Sequence, residues 1–157
     1  TPLAIGAAAA EAEFSKKYFR KLRKVILVTG DGAFGFYSSE FNGASLANLD
    51  ITTIISNDGA WGTEKHGQML AISKQINTEF GEVNYAFIGK AFNCKAEQID
   101  EPSMVNSSLI DSINHNGPAI LDIITDSEAG LLRKKDNRVQ TVQFSDFETS
   151  RHLMNKD

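Results

Sequence analysis

Apolar and polar positions alternate in a way that divides the chain into elements. Residues 25–28 (VILV) and 51–55 (ITTII) are short, β-branched and uncharged. Each closes on a polar, glycine-rich turn, Thr29-Gly30-Asp31-Gly32 after the first and Ser56-Asn57-Asp58-Gly59 after the second. Runs of this kind predict strands buried on both faces, as in a parallel sheet. Between them Phe41, Ala44 and Ala47 recur at helical spacing over 38–48. Ser38 or Ser39 is placed to cap that helix, and Glu40 lies in its first turn, where the dipole favours an anion. The three segments form a β-α-β unit. Both turns then lie at the C-terminal edge of one sheet, where open α/β sheets bind ligands.

The flanking pattern extends this picture. Thr1-Pro2 opens an alanine-rich helix over 3–14. A helix is predicted over 85–92 with Phe87, Ile88 and Ala91 on its apolar face, then a short strand over 96–99. Pro102-Ser103 opens a further helix with Val105, Leu109 and Ile113 in one stripe, and Asn116-Gly117-Pro118 stops it. A third buried strand over 119–125 is interrupted by Asp122, which is expected to pair with a neighbour. The predicted class is α/β, a mainly parallel sheet between helices in three layers.

Composition narrows the partners. A chain of 157 residues, 41% hydrophobic and 23% charged, fits one domain with a sizeable core. The net charge of −4 gives no bulk attraction to nucleic acid or to an anionic membrane, and neither is expected as a partner. The 3–14 run lacks a preceding basic segment and is too short to span a bilayer. The basic run over 15–24 reads as a solvated helix end and connector rather than a nucleic-acid patch. Cys94 stands alone, so no internal disulfide forms; it reads as a buried bystander in a reducing, cytoplasmic compartment. From 127 onward the chain is charged and polar, with Arg133, Lys134, Lys135, Asp136, Asn137 and Arg138 in sequence. Residues 127–157 read as a C-terminal tail that packs on the domain or on a partner.

The two turns offer complementary chemistry. Glycines beside Asp31 let the backbone approach a ligand, and the amides that follow can face an anion. The Asp31 carboxylate, the Asn57 amide oxygen and a nearby backbone carbonyl are hard donors suited to Mg²⁺ or Ca²⁺. Amides beside a hard cation describe a diphosphate site. An alternative is a Rossmann-like nucleotide-binding or regulatory module, because Gly30-Asp31-Gly32-Ala33-Phe34-Gly35 satisfies G-x-G-x-x-G. Its companion acid is misplaced, since Asp50 has the right separation but precedes the second strand. Asp31 would also repel a pyrophosphate with no cation between them.

Gly30-Asp31-Gly32, then 24 residues (33–56), then Asn57 resembles the cofactor motif of thiamine diphosphate (ThDP) enzymes. The segments VTGDGAFGFYSSEF, SNDGAWGTEKHGQ, TEFGEVNYAFIGKAF and NGPAILDIITD resemble their acetolactate-synthase-like and benzaldehyde-lyase-like branch. The resemblance covers roughly 2–126 and implies the C-terminal, diphosphate-binding domain. It implies that Asp31, Asn57 and the Gly59 carbonyl hold Mg²⁺. The amides around Ala33 and Phe34, and around Ala60 and Trp61, would face the ThDP diphosphate, with Gly30, Gly32 and Gly62 around it. The implied activity is carboligation, decarboxylation or lysis of a C–C bond beside a carbonyl. The substrate would be a 2-keto acid or 2-hydroxy carbonyl compound, and the intact enzyme a homo-oligomer. Over 62–76, which would run beside the active site, His66 is a candidate substrate contact. The Trp61 side chain reads as core packing.

Departures from the family pattern are local. Asn57-Asp58 stands where the family often has two asparagines, and Asn93 and Ala96 stand where it usually has glycines. The family's activating glutamate and its cofactor-bending apolar side chain match no position here, so no catalytic residue is assigned. The chain is expected to be part of a longer protein, and to be inactive and weak in ThDP binding by itself.

Overall fold

The computed structural model describes residues 1–129. In chain order these form α1 (Pro2–Lys17), β1 (Val25–Gly30), α2 (Asp31–Gly35), α3 (Glu40–Leu46), β2 (Ile51–Asn57), α4 (Gly62–Ile72), α5 (Tyr85–Ala91), β3 (Lys95–Ile99), a 3-10 turn (Pro102–Met104), α6 (Val105–Asn114) and β4 (Ala119–Ile124). The four strands are all parallel, in the order β1-β2-β4-β3, with helices flanking the sheet. The expected α/β layering is therefore present. Residues 130–157, including the charged run at 133–138, lie outside the described residues.

Register sets the ends of the strands. Gly30 pairs with Ser56 and Asn57 pairs with Ile124. The turns after β1 and β2 consequently lie side by side at one sheet edge. β2 is buried on both faces as predicted, but β1 alternates, with Ile26 49% and Val28 70% exposed. Among the described residues β1 has one strand neighbour, and α1 packs against it and β2, so its other face is left to solvent.

α1 starts on Pro2 behind Thr1, as the Thr-Pro pair predicts, and carries Lys16 and Lys17 in its last turn. The basic connector after it is structural. Arg20 and Arg23 both bond the carboxylate of Glu11, which is only 8% exposed. Lys24 pairs with Asp50 and donates to the His115 carbonyl at 2.6 Å. Ser39 occupies the N-cap of α3 but makes no side-chain cap, a correction to the expected serine cap.

The apolar face predicted for α5 is also corrected. Tyr85, Ala86 and Gly89 are buried, with Ile88 packed partly against the core, while Phe87 is 66% exposed. Gly89 sets this rotation. A Cβ there would come within 2.8 Å of the Ala96 Cβ and 2.9 Å of Ile120 Cδ1, so the helix approaches β3 and β4 through its glycine. Asn84 caps α5 by accepting from the Phe87 amide at 3.1 Å. Asn93 adopts φ +59°, the left-handed region that Asn tolerates better than most residues. The turn thus keeps a conformation that glycine would also serve. Val105, Leu109 and Ile113 fall on the inner side of α6, with Ser108 and Ser112 buried among them.

Candidate functional site

β1 and β2 deliver the two turns to the same point. Asp31 opens α2 directly after β1 and is 1% exposed. Its Oδ1 accepts from the Gly32 amide at 2.9 Å and its Oδ2 from the Gly59 amide at 2.9 Å. Asn57 ends β2, is 3% exposed, and its Oδ1 accepts from the same Gly59 amide at 3.2 Å. Two oxygens from separate strand ends therefore converge on one N–H. The other end of Asn57 is fixed as well, Nδ2 donating to the Val83 carbonyl at 2.9 Å and to Asp122 Oδ1 at 2.8 Å.

Electrostatics mark the same spot. Burial pushes the Asp31 carboxyl up from its ordinary value, and the neighbouring negative charge of Asp58 pushes in the same direction. The Gly32 and Gly59 amides oppose that shift without cancelling it. A divalent cation between these oxygens would offset the clustered charge, and the donor set of carboxylate and amide oxygens suits a hard ion. The residues present fit such a group. Asp58 itself is tied back, accepting from the Ala60 amide at 3.3 Å. Among the described residues, no cluster of three or more His, Cys, Asp or Glu side chains forms a separate metal site.

A cleft of about 540 Å³ opens over the turns and is lined by Gly30, Asp31, Gly32, Ala33, Ala60, Trp61 and Gly62. Seven residues singled out from the sequence thus line one cleft. Asn57 and Gly59 face an adjoining cleft of about 700 Å³, and Asp58 borders both. Phe34 lines neither cleft, and its ring is fully buried, edge-on to Tyr85 at 5.4 Å and 5.5 Å from Phe41. The side chain of Trp61, by contrast, is not in the core. It is 40% exposed, packs edge-on against Phe36 at 5.0 Å and lines the cleft.

Two backbone groups expected to face a ligand are engaged by residues 78–80. The Trp61 amide donates to the Thr78 carbonyl at 2.8 Å, and the Gly59 carbonyl accepts from the Phe80 amide at 3.1 Å. A carbonyl oxygen has a second lone pair, so Gly59 retains an acceptor for a cation, whereas the single Trp61 N–H is used. His66 contacts the Ser127 carbonyl at 3.1 Å and lines neither cleft. Lys65 was given no role from the sequence, yet it is 2% exposed and paired with Glu79 at 3.0 Å and Glu128 at 2.8 Å. Those carboxylates, Glu128 foremost, hold its ammonium above the usual lysine value. Burial pushes the Cys94 thiol up to about 11, in keeping with an unreactive bystander.

Comparison with known proteins follows the same lines. The family model for the C-terminal TPP binding domain of thiamine pyrophosphate enzymes matches residues 1–123. The chain belongs to this family. As a TPP-binding domain it is 27% identical over 121 residues to the acetolactate synthase large subunit IlvG of Mycobacterium tuberculosis, covering 76% of this chain and 22% of that one. It is 30% identical over 129 residues to the acetolactate synthase isozyme 1 large subunit of Escherichia coli, covering 81% of this chain and 21% of that one. In fold it is similar to benzoylformate decarboxylase from Polynucleobacter necessarius, at TM-score 0.72 and 16% identity, covering 81% of this chain and 23% of that one. The chain spans about a fifth of the length of the curated relatives it matches. The Rossmann-like alternative finds no support in a TPP-binding domain. The acid it would use, Asp50, precedes β2 and is paired with Lys24.

Proposed function

We propose that this TPP-binding domain grips the diphosphate of ThDP through Mg²⁺. Asp31 and Asn57 would supply side-chain oxygens to the ion and Gly59 its carbonyl. The observation that carries this reading is the convergence of Asp31 Oδ2 and Asn57 Oδ1 on the Gly59 amide, at 2.9 and 3.2 Å. Amides around Ala33 and Phe34 would face the diphosphate from α2, and Gly30, Gly32, Ala60 and Gly62 leave room for it along the cleft wall. At Gly32 a Cβ would meet the Ala60 carbonyl and the Phe80 and Trp61 rings at 3.8–3.9 Å, an ordinary contact distance, so Gly32 lies against the second turn at the cleft.

When bound, ThDP supplies the electron sink for making or breaking a C–C bond beside a carbonyl. The chain's own contribution is to bind and orient it. The intact enzyme is read as an acetolactate-synthase-like carboligase, decarboxylase or lyase acting on a 2-keto acid or 2-hydroxy carbonyl compound, as a homo-oligomer in the cytoplasm. The names of its relatives support the activity class, and the compartment rests on the lone Cys94, which has no internal disulfide partner. Among the described residues no helix is long and apolar enough to cross a membrane.

A thermal-shift comparison on the intact protein tests the ligand class. Occupancy of the native state raises the melting temperature. ThDP with Mg²⁺ should raise it more than NAD or ATP at equal concentration. A larger shift with either nucleotide would contradict the proposal.

A further inference from the structure

Asp122 is fully buried in β4, and its two oxygens are divided between two tasks. Oδ1 accepts from Asn57 Nδ2 at 2.8 Å. Oδ2 accepts from the Tyr85 amide and from Gln98 Nε2, each at 2.9 Å. Gln98 is held in turn by Asn84, whose Nδ2 donates to Gln98 Oε1 at 2.8 Å. One carboxylate thus ties β4 to the first residue of α5, to β3 and to the last residue of β2.

The two ends of a carboxamide have opposite chemistry, and only the oxygen can ligate a cation. Asn57 Nδ2 sits between the Asp122 carboxylate and the Val83 carbonyl, groups that only accept. Turning the amide over would set its oxygen against both, and would leave buried acceptors unpaired. We infer that Asp122 is a positioning residue, one that locks Asn57 with Oδ1 toward Asp31 and the Gly59 amide. This inference rests on the Mg²⁺–ThDP reading above. Partners that orient a metal ligand commonly matter by about 10–100-fold in metal affinity.

The intact protein is compared as wild type, Asp122→Asn, Asn57→Asp and the Asn57→Asp/Asp122→Asn double variant. The readout is the Mg²⁺ dependence of ThDP affinity by calorimetry. With Asn57 present, Asp122→Asn sets one NH₂ against another or against the Tyr85 and Gln98 donors, and Mg²⁺ binding should weaken by about 10–100-fold. In the Asn57→Asp background, the same change replaces a contact between two carboxylates by a carboxylate–amide pair, and binding should tighten roughly tenfold. The loss of the Val83 contact is common to both proteins that carry Asn57→Asp and drops out of their comparison. The expected result is this reversal of sign. A similar loss in both backgrounds would overturn the inference, leaving Asp122 as a brace between β4, α5 and β3. An Asp122→Asn protein that binds Mg²⁺ like wild type would overturn it too. If Asp122→Asn alone fails to fold, the Asn57→Asp single variant and the double variant decide the matter, and binding that does not tighten between them is the contrary result. A wild type whose ThDP affinity ignores Mg²⁺ would remove the cation reading itself, and this inference with it.

Discussion

At the scale of single residues, Asp31 and Gly59 carry the sharpest expectations. Asp31 is nearly inaccessible, and both its oxygens are spoken for by amides at 2.9 Å. Asp31→Ala should abolish Mg²⁺-dependent ThDP binding by the intact protein in calorimetry, because the carboxylate proposed to hold the ion disappears. Gly59 sits at φ +67°, and a Cβ there would lie 3.1 Å from the Gly81 carbonyl oxygen. Gly59→Ala should cost about 1–2 kcal/mol in chemical denaturation from the left-handed backbone alone. Asp31 and Asn57 were legible in the sequence because residue type, neighbouring glycines and strand ends all pointed the same way. Trp61 was not. A tryptophan after a glycine turn reads as core until the sheet is assembled, and only then does its ring fall at the cleft beside Phe36. Asp122 was legible as an acid that must pair, but its partners come from β2, β3 and the start of α5, which no local pattern joins.

At the scale of elements, two contacts control how helices meet the sheet. α5 lies on β3 and β4 through Gly89, with no room for one more carbon. Gly89→Ala should therefore destabilise by about 1–3 kcal/mol through overpacking, despite the better helix propensity of alanine, as read from the denaturation midpoint. The same contact explains why the predicted face of α5 was rotated. Hydrophobicity favoured Phe87, whereas close approach favoured the smallest side chain. α1 is tied to the connector by Glu11, whose carboxyl Arg20 and Arg23 hold far below its usual value of 4.5. A depressed folded-state value means the stabilisation is complete above the unfolded value and is lost as pH falls below it. Glu11→Gln should flatten the decline of stability from about pH 5 downward, relative to wild type. An equally steep decline in both proteins would contradict the clamp. The burial of β1 was misread at this scale too. Its residues are as apolar as those of β2, and only the folded chain shows that, among the described residues, one of its faces is covered and the other is not.

At the scale of the whole molecule, the parallel order β1-β2-β4-β3 places the ends of β1, β2 and β4 in a row. Asp31, Asn57 and the 124–128 segment are gathered at that row by topology alone. The layered α/β architecture and the meeting of the two turns at one sheet edge were legible from strand runs and turns, while the engagement of residues 78–80 with the second turn depended on the closed fold. A domain that spans about a fifth of its relatives' length would, on the proposed reading, contribute a diphosphate grip, and no catalytic group is assigned to it. The isolated 157-residue chain should accordingly show no steady-state turnover of a 2-keto acid or 2-hydroxy ketone, and measurable turnover would contradict that. The most direct measurement is anomalous diffraction from crystals of the intact protein grown with ThDP and Mn²⁺, which accepts the same oxygen donors as Mg²⁺. One anomalous peak should lie within coordination distance of both the Asp31 carboxylate and Asn57 Oδ1, against the cofactor's phosphates. A peak bound elsewhere, or ThDP phosphates seated with no ion between them and Asp31, would contradict the account.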